Sequence, residues 1–321
     1  MALQTITQTI TDPDDWDGSL FGTQLKLVQL TSESFFSKQT VTDLDGIKLV
    51  QLEVNQPIKV RSVPLSLRYV GTLFDDAYGG HFAGRAIEQD QLLVMPPKFD
   101  FDAAIKDSGF SCSSLFIPPD QLTDFFQTLI GEPLEPFDRL KTAFPNSGEL
   151  RWIGAWSSLV EPGGLAKMDQ AQLASLQDSL RNSALTLMAH ALQSPTEKMP
   201  LELQGTGSTA RLAKARKLVR IAEDYANSAA GHVQMIDLCR VAGVSERTLQ
   251  YAFKTCLGVS PMNYLKRHRL HQVRHALRAA DPSATTVSSI ACQHGFFHLG
   301  EFSQAYKQQF EELPSTTLKT S

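Results

Sequence analysis

Between Leu25 and Ile117 apolar and polar positions alternate in short runs: Leu25–Leu30, Ile47–Val54, Ile58–Val63, Leu65–Gly71, Gln91–Pro96, Phe99–Ile105 and Ser111–Ile117. A period of two sends successive side chains to opposite faces of a strand, and Asp-Gly, Asn-Gln-Pro, Gly-Gly and Pro-Pro between the runs supply the turns. Short strands so spaced predict a mainly β barrel or sandwich, and a barrel of this size can hold one small ligand. The pentapeptide KLVQL, at Lys26 and again at Lys48, reads as reuse of a good strand pattern, since no third copy follows.

The period then lengthens to three and four. Gln121–Ile130 and Leu150–Gly164 predict helices, the second ended by Pro162, Gly163 and Gly164. Met168–Leu192 predicts the longest helix of this half, with Leu173, Leu176, Leu180, Ala184, Leu187 and Ala191 on one stripe. That stripe either packs on the barrel or meets its copy in a second chain as a short coiled coil. Residues 193–210 are rich in Pro, Gly, Ser and Thr and read as a linker. The chain therefore divides into a barrel-like domain with closing helices (1–192), the linker, and an all-α domain (211–321).

The second domain opens with a helix from about Thr209 to Asn227 that turns Leu212, Ala215, Val219, Ala222 and Tyr225 inward and Lys214, Lys217 and Arg220 outward. Residues 235–257 then carry a helix-turn-helix pattern. Leu238, Val241 and Ala242 close a short helix; Gly243 takes the positive φ of the turn; Ser245 N-caps a second helix with Leu249 and Phe253 inward. Arg247, Gln250, Tyr251 and Lys254 stay outside. Arg and Gln near a helix N-terminus have the chemistry to read guanine O6/N7 and adenine N6/N7 in a major groove. The figure returns at 287–310, with Ile290, Ala291 and Gly295 standing for Leu238, Cys239 and Gly243, and Phe302, Tyr306 and Phe310 inward. Between the two lies a strongly basic helix beginning at Pro261, whose Tyr264, Leu265, Val273 and Leu277 face inward; its length sets the two recognition helices about one duplex turn, or about 34 Å, apart.

On AGVSERTLQYAFKTCLGVSPMNYLKRHRL and ACQHGFFHLGEFSQAYKQQFEELPSTTL the chain resembles the AraC/XylS family of transcription regulators, in the subgroup with HLG before the second recognition helix. The first half resembles the cupin-like effector domains of such regulators through DQLLVMPPKFDFDAAI and SSLFIPPDQL. The resemblance implies binding to double-stranded promoter or operator DNA, a homodimer, a small-molecule effector in the barrel and RNA polymerase as a further partner. It places base-reading positions at Arg247, Gln250 and Tyr251, and at Leu299, Gly300, Glu301 and Gln304. Lys307 is a candidate phosphate contact. Glu301 stands where relatives often carry Arg; a carboxylate repels phosphate but can accept from cytosine N4.

Charge sharpens this division. Residues 1–204 hold 15 Lys and Arg against 26 Asp and Glu, and residues 205–321 hold 15 against 8, within a total of −4. Only the second half is suited to a polyanion. Cys112, Cys239, Cys256 and Cys292 show no metal-ligand spacing and read as reduced core residues. No basic leader and no long apolar run appears, so the expectation is a cytoplasmic protein without a membrane span. His81 and His190 are too few for a cupin metal site, and no nucleophile or phosphate-loop motif occurs, so neither cofactor, metal nor enzymatic activity is expected. Asp100 and Asp102 read as a solvated edge. Arg61, Arg68 and Arg85 alternate with apolar residues and are the candidates for clamping an anionic effector. The competing reading is an effector-independent DNA-bending scaffold, which a filled barrel without a cavity would favour.

Overall fold

The computed structural model describes residues 3–16, 23–64, 67–76, 78–159, 165, 168–193, 207–229 and 233–319. Its strands are β1 (Gln4–Ile10), β2 (Thr23–Gln29), β3 (Ser37–Leu44), β4 (Ile47–Val54), β5 (Ile58–Pro64), β6 (Tyr69–Phe74), β7 (Gly80–Phe82), β8 (Arg85–Ala86), β9 (Leu92–Met95), β10 (Asp102–Ile105), β11 (Phe110–Ile117) and β12 (Lys141–Ala143). They form an antiparallel seven-stranded sheet, β1-β3-β4-β11-β6-β9-β12, and a five-stranded one, β2-β5-β10-β7-β8. Every expected run contains a strand; residues 65–66, at the start of one run, lie outside the described residues.

β1 and β3 escape the alternation rule because Thr and Gln dominate them. Their register puts Thr5 opposite Thr42 and Thr7 opposite Thr40, with hydroxyl oxygens 3.1 Å apart in both pairs. Thr42 also accepts from Trp156 Nε1 at 3.3 Å. A β-branched residue suits a strand, and the cross-strand hydroxyl pairs satisfy what an apolar pattern would have buried.

Three helices cover the outer face of the larger sheet: α1 (Pro119–Ile130), α2 (Ser147–Leu159) and α3 (Gln170–Gln193). Leu180, Ala184, Leu185, Leu187, Met188 and Leu192 of α3 bury themselves against Leu49, Leu73, Leu92, Leu115 and Ile117. Each buried leucine contributes about 1.5–3 kcal/mol. A Cβ on Gly71 of β6 would lie 2.6 Å from Met188 Sδ, so the helix comes this close because the strand carries glycine there. The stripe expected to pack on the barrel or meet a second copy is therefore satisfied within the chain over its C-terminal half. Gly163 and its neighbours, and most of the linker expected at 193–210, lie outside the described residues; α3 runs to Gln193 and the next helix starts at Gly207.

The second domain comprises α4 (Gly207–Ser228), α5 (Met235–Ala242), α6 (Glu246–Leu257), α7 (Pro261–Arg278), α8 (Val287–Gln293), α9 (Leu299–Phe310) and α10 (Pro314–Lys319). Gly243 ends α5 at φ +63°, and Ser245 Oγ accepts from Thr248 N–H at 3.3 Å to start α6. Gly258, at φ +72°, ends α6; Ser260 then caps α7 ahead of Pro261. The second unit repeats the turn with Gly295 at φ +79°, while His298 makes no side-chain cap bond to α9. Leu249, Phe253, Phe302 and Tyr306 are fully buried, as the inward stripes require. Two sequence expectations are corrected here. Val241 is exposed, because the short α5 turns that side away from α6, and Cys292 is exposed, because Ala291 fills the small-residue position beside it.

Candidate nucleic-acid interface

Arg247, Gln250, Tyr251 and Lys254 are all exposed along one face of α6, opposite the buried Leu249, Ala252 and Phe253. The spacing i, i+3, i+4, i+7 produces this split. Gln250 Nε2 donates to Glu246 Oε1 at 2.8 Å, and Lys254 Nζ donates to the Gly258 carbonyl at 2.9 Å. Both contacts lie within the helix or its cap, and all four side chains stay exposed. On α9, Leu299, Gly300, Glu301, Gln304 and Lys307 are likewise exposed, while Phe302, Ala305 and Tyr306 face the core. The connecting helix α7 has 18 residues, hence a length of about 27 Å.

The basic residues of α7 do not share one fate. Arg274 is almost wholly buried: its Nη1 donates to Asp14 Oδ2 at 2.9 Å, its Nε to Glu312 Oε1 at 3.0 Å, and it also grips Asp12. Arg278 pairs with Asp15 at 2.6 Å and Asp12 at 3.3 Å. Asp14 and Asp15 belong to a 3-10 turn, Pro13–Asp15, which Asp12 caps by accepting from Asp14 N–H, whereas Glu312 comes from just after α9. Burial pushes the Asp14 carboxyl up, but His271, Arg274 and Arg278 outweigh it and hold it below the ordinary aspartate value. Burial lowers His268 to about 4, assisted by its cationic neighbours.

The acidic barrel thus docks on the basic domain, and it touches both helix-turn-helix units. On the side of the first, Lys59 pairs with Glu223 in a nearly dry setting, Arg61 with Asp224 at 3.3 Å, Arg216 with Asp102 at 2.6 Å, and Lys106 Nζ donates to the Thr255 carbonyl at 3.1 Å. On the side of the second, Gln309 Nε2 donates to the Thr31 carbonyl at 2.8 Å and Ser34 Oγ to Glu311 at 2.9 Å. Gln29 N–H donates to His271 Nε2 at 3.3 Å. Asp102, expected on a solvated edge, is instead an interface residue, because β10 turns it toward α4. His81 faces the same way, 3.6 Å from Asp102, and neither enters the barrel interior.

Between the two sheets lies a cavity of about 140 Å³. Trp16, Phe74, Phe82, Phe101, Phe110 and Phe116 are among its walls, with Arg68 and Lys98 as the charged residues of its lining. Of the three arginines expected to clamp an effector, only Arg68 lines it. Arg61 is corrected to an interface residue, and Arg85 donates to Thr142 Oγ1 at 2.9 Å and the Leu140 carbonyl at 3.1 Å, since both alternate away from the cavity.

Sequence reasoning did not single out Asp12, Asp14, Lys59, Arg216 or Glu223. The available signal was the opposition of charge between the two halves, which does not say which acid meets which base.

Residues 238–320 match the family model described as a helix-turn-helix domain. A probable thc operon regulatory protein of Rhodococcus erythropolis is 40% identical over 104 residues, covering 32% of this chain and 31% of that protein. A XylDLEGF operon transcriptional activator of Pseudomonas putida is 33% identical over 88 residues, or 27% of each chain. The matches span about a third or less of these relatives' length. The crystal structure of the AraC-like transcriptional activator CuxR aligns with 84% of this chain and 94% of its own at 15% identity, with a TM-score of 0.41.

Proposed function

We propose, from the match of residues 238–320 to a helix-turn-helix family model and the likeness to operon regulators over about a third or less of the chain, that this chain is a sequence-specific DNA-binding transcription regulator of the AraC/XylS type whose barrel receives a small-molecule effector. The observation that carries the DNA reading is the exposed row Arg247, Gln250, Tyr251 and Lys254 on a helix anchored by Leu249 and Phe253. Arg247 and Gln250 present the forks that pair with guanine and adenine edges, and Tyr251 adds an apolar face. Leu299, Gly300, Glu301 and Gln304 form the second reader, with Lys307 toward phosphate. Such a chain works at promoter DNA, hence in the cytoplasm, where RNA polymerase is its partner.

The cavity favours an effector-responsive regulator over a scaffold with a purely structural barrel, since the scaffold has no use for unfilled space between its sheets. Arg68, at the lining, is the residue for an anionic group of the effector. Among the described residues no helix is long and apolar enough to cross a membrane.

The test is selection from random duplexes at near-physiological salt, using the full chain and Arg247→Ala. The expected product is a two-box motif whose boxes lie about one turn apart, with one position of the first box relaxed by about 1–3 kcal/mol in the variant. Salt-sensitive binding without a motif in the intact chain would sink the reading.

A further inference from the structure

A strand at the end of a sheet leaves one row of N–H and C=O groups unpaired, and short length, charge or a covering element is what keeps such an edge from taking up a further strand. Among the described residues the two sheets end at β1, β12, β2 and β8. β12 and β8 have three and two residues and carry Lys141 and Arg85. β2 carries Lys26 and is covered: Val28 lies in the core built around Phe253 and Tyr264, and Gln29 N–H donates to His271 Nε2. β1 has none of these protections. It runs for seven residues, QTITQTI, without charge, proline or glycine, and Gln4 and residues 6–9 are exposed, Ile6 at 61%.

The strand is also its own complement. Residues 5–11 read TITQTIT, the same in both directions about Gln8, and Thr or Ile fills every position but that one. Both are β-branched and favour a pleated strand. Antiparallel pairing with a second copy, about a two-fold axis at Gln8, sets Gln8 against Gln8, Thr7 against Thr9, Ile6 against Ile10 and Thr5 against Thr11. Facing threonines repeat the hydroxyl pairs that already hold Thr5 to Thr42 and Thr7 to Thr40, and a hydroxyl that donates on one side still accepts on the other. Exposed Ile6 gains an apolar neighbour. No like charges meet, although the barrel half is acidic: the paired residues are neutral, and Asp12, Asp14 and Asp15, which follow them, are spent on Arg274 and Arg278.

We propose that β1 is a docking edge for a second copy of this chain, and that two copies pair antiparallel about Gln8 to join their seven-stranded sheets into one. Pairing at this edge requires nothing of the DNA-binding face. A single strand pair buries less than the roughly 1,000 Å² of a stable interface, so the association is weak and reversible, with a dissociation constant on the order of 10 µM.

Sedimentation velocity of the full chain from about 1 to 200 µM should follow a monomer becoming a dimer. Gln8→Lys and Gln8→Glu, each at an exposed side chain, should weaken dimerisation at least about threefold by setting like charges face to face, and mixing the two variants should restore it. Gln8→Cys should form a disulfide between copies at position 8 under mild oxidation, mapped by mass spectrometry, because facing Cα atoms in an antiparallel pair lie about 4.5–5.5 Å apart, within disulfide reach. A chain that stays monomeric over the whole range, charge variants that dimerise as the natural chain does, or no restoration on mixing overturns the proposal. Dimers that ignore position 8 belong to another surface, such as the half-buried Leu173 and Leu176 at the start of α3. Should a charge variant not fold, the Gln8→Cys disulfide decides: its presence supports the pairing and its absence refutes it.

Discussion

Removing the Arg274 guanidinium while keeping much of its bulk, as Arg274→Met, should destabilise the docked chain by about 3 kcal/mol at pH 7. Arg274 exposes only 8% of its side chain, and the carboxylates of Asp14, Asp12 and Glu312 that surround it expose 14%, 25% and 28%. Breaking a buried pair by deleting one partner costs about 3–5 kcal/mol, and the partial wetting of these acids places this site at the lower end. Urea unfolding followed by tryptophan fluorescence reads the change, since Trp16 is buried next to the acidic turn; the midpoint should fall by about 1–3 M. The pH dependence follows from the sign of the aspartate shift. Asp14 is held below the ordinary aspartate value of 3.8 in the folded chain, so it contributes stability above that pH and loses it as the pH falls through the folded value. Without Arg274 the share of that contribution that Arg274 supplies is gone, while His271 and Arg278 keep the rest, and the gap between variant and natural chain should narrow below about pH 4. Asp14→Asn, destabilising alone, should recover at least about 1 kcal/mol when combined with Arg274→Met, because it relieves a stranded charge. A gap under about 1 kcal/mol at pH 7, or the same gap at about pH 7 and pH 3, would refute the idea that this cluster latches the barrel to α7.

Lys59→Met should cost about 3–5 kcal/mol by leaving Glu223 buried and unpaired, whereas Lys59→Met with Glu223→Leu should return to within about 1 kcal/mol of the natural chain; denaturant titration of both variants decides it. Gly243→Ala meets no atom within 4 Å, so its cost comes from the φ of +63° alone; melting should show a loss of about 1 kcal/mol. Alkylation at pH 8 with mass-spectrometric mapping should label Cys292, which is exposed, and spare Cys112 and Cys256, whose burial raises them to about 12 and about 11. His268, lowered from 6.5 to about 4, contributes stability above about pH 6.5 that is lost as the pH falls toward about 4, because the unfolded chain takes up the proton first. His268→Gln should flatten that part of the stability profile; an unchanged slope would count against it.

The helices and the exposure of Arg247, Gln250, Tyr251 and Lys254 were legible because their signals are local. Leu249 and Phe253, or Phe302 and Tyr306, fix which side of a helix is buried, and the exposed side follows from the 3.6-residue period. Gly243 and Gly295 mark turns through backbone geometry that belongs to the residue itself. β1 and β3 were illegible because Thr5, Thr7, Thr40 and Thr42 are satisfied by one another across a pairing that sequence does not announce.

What the chain's sequence determined by itself is a short-strand domain followed by two tandem helix-turn-helix units, with Arg247, Gln250 and Tyr251 outward. Alternation, periodicity and capping are properties of neighbouring residues. Only the tertiary structure decided that Arg274 and Arg278 are neutralised by Asp12, Asp14 and Asp15, which lie 260 or more positions away, that Arg68 and not Arg61 or Arg85 lines the cavity, and that α3 spends its stripe on its own barrel. Each depends on which surfaces meet, and that is fixed by long-range packing, where a strand's in-or-out assignment and a charge's partner are chosen together.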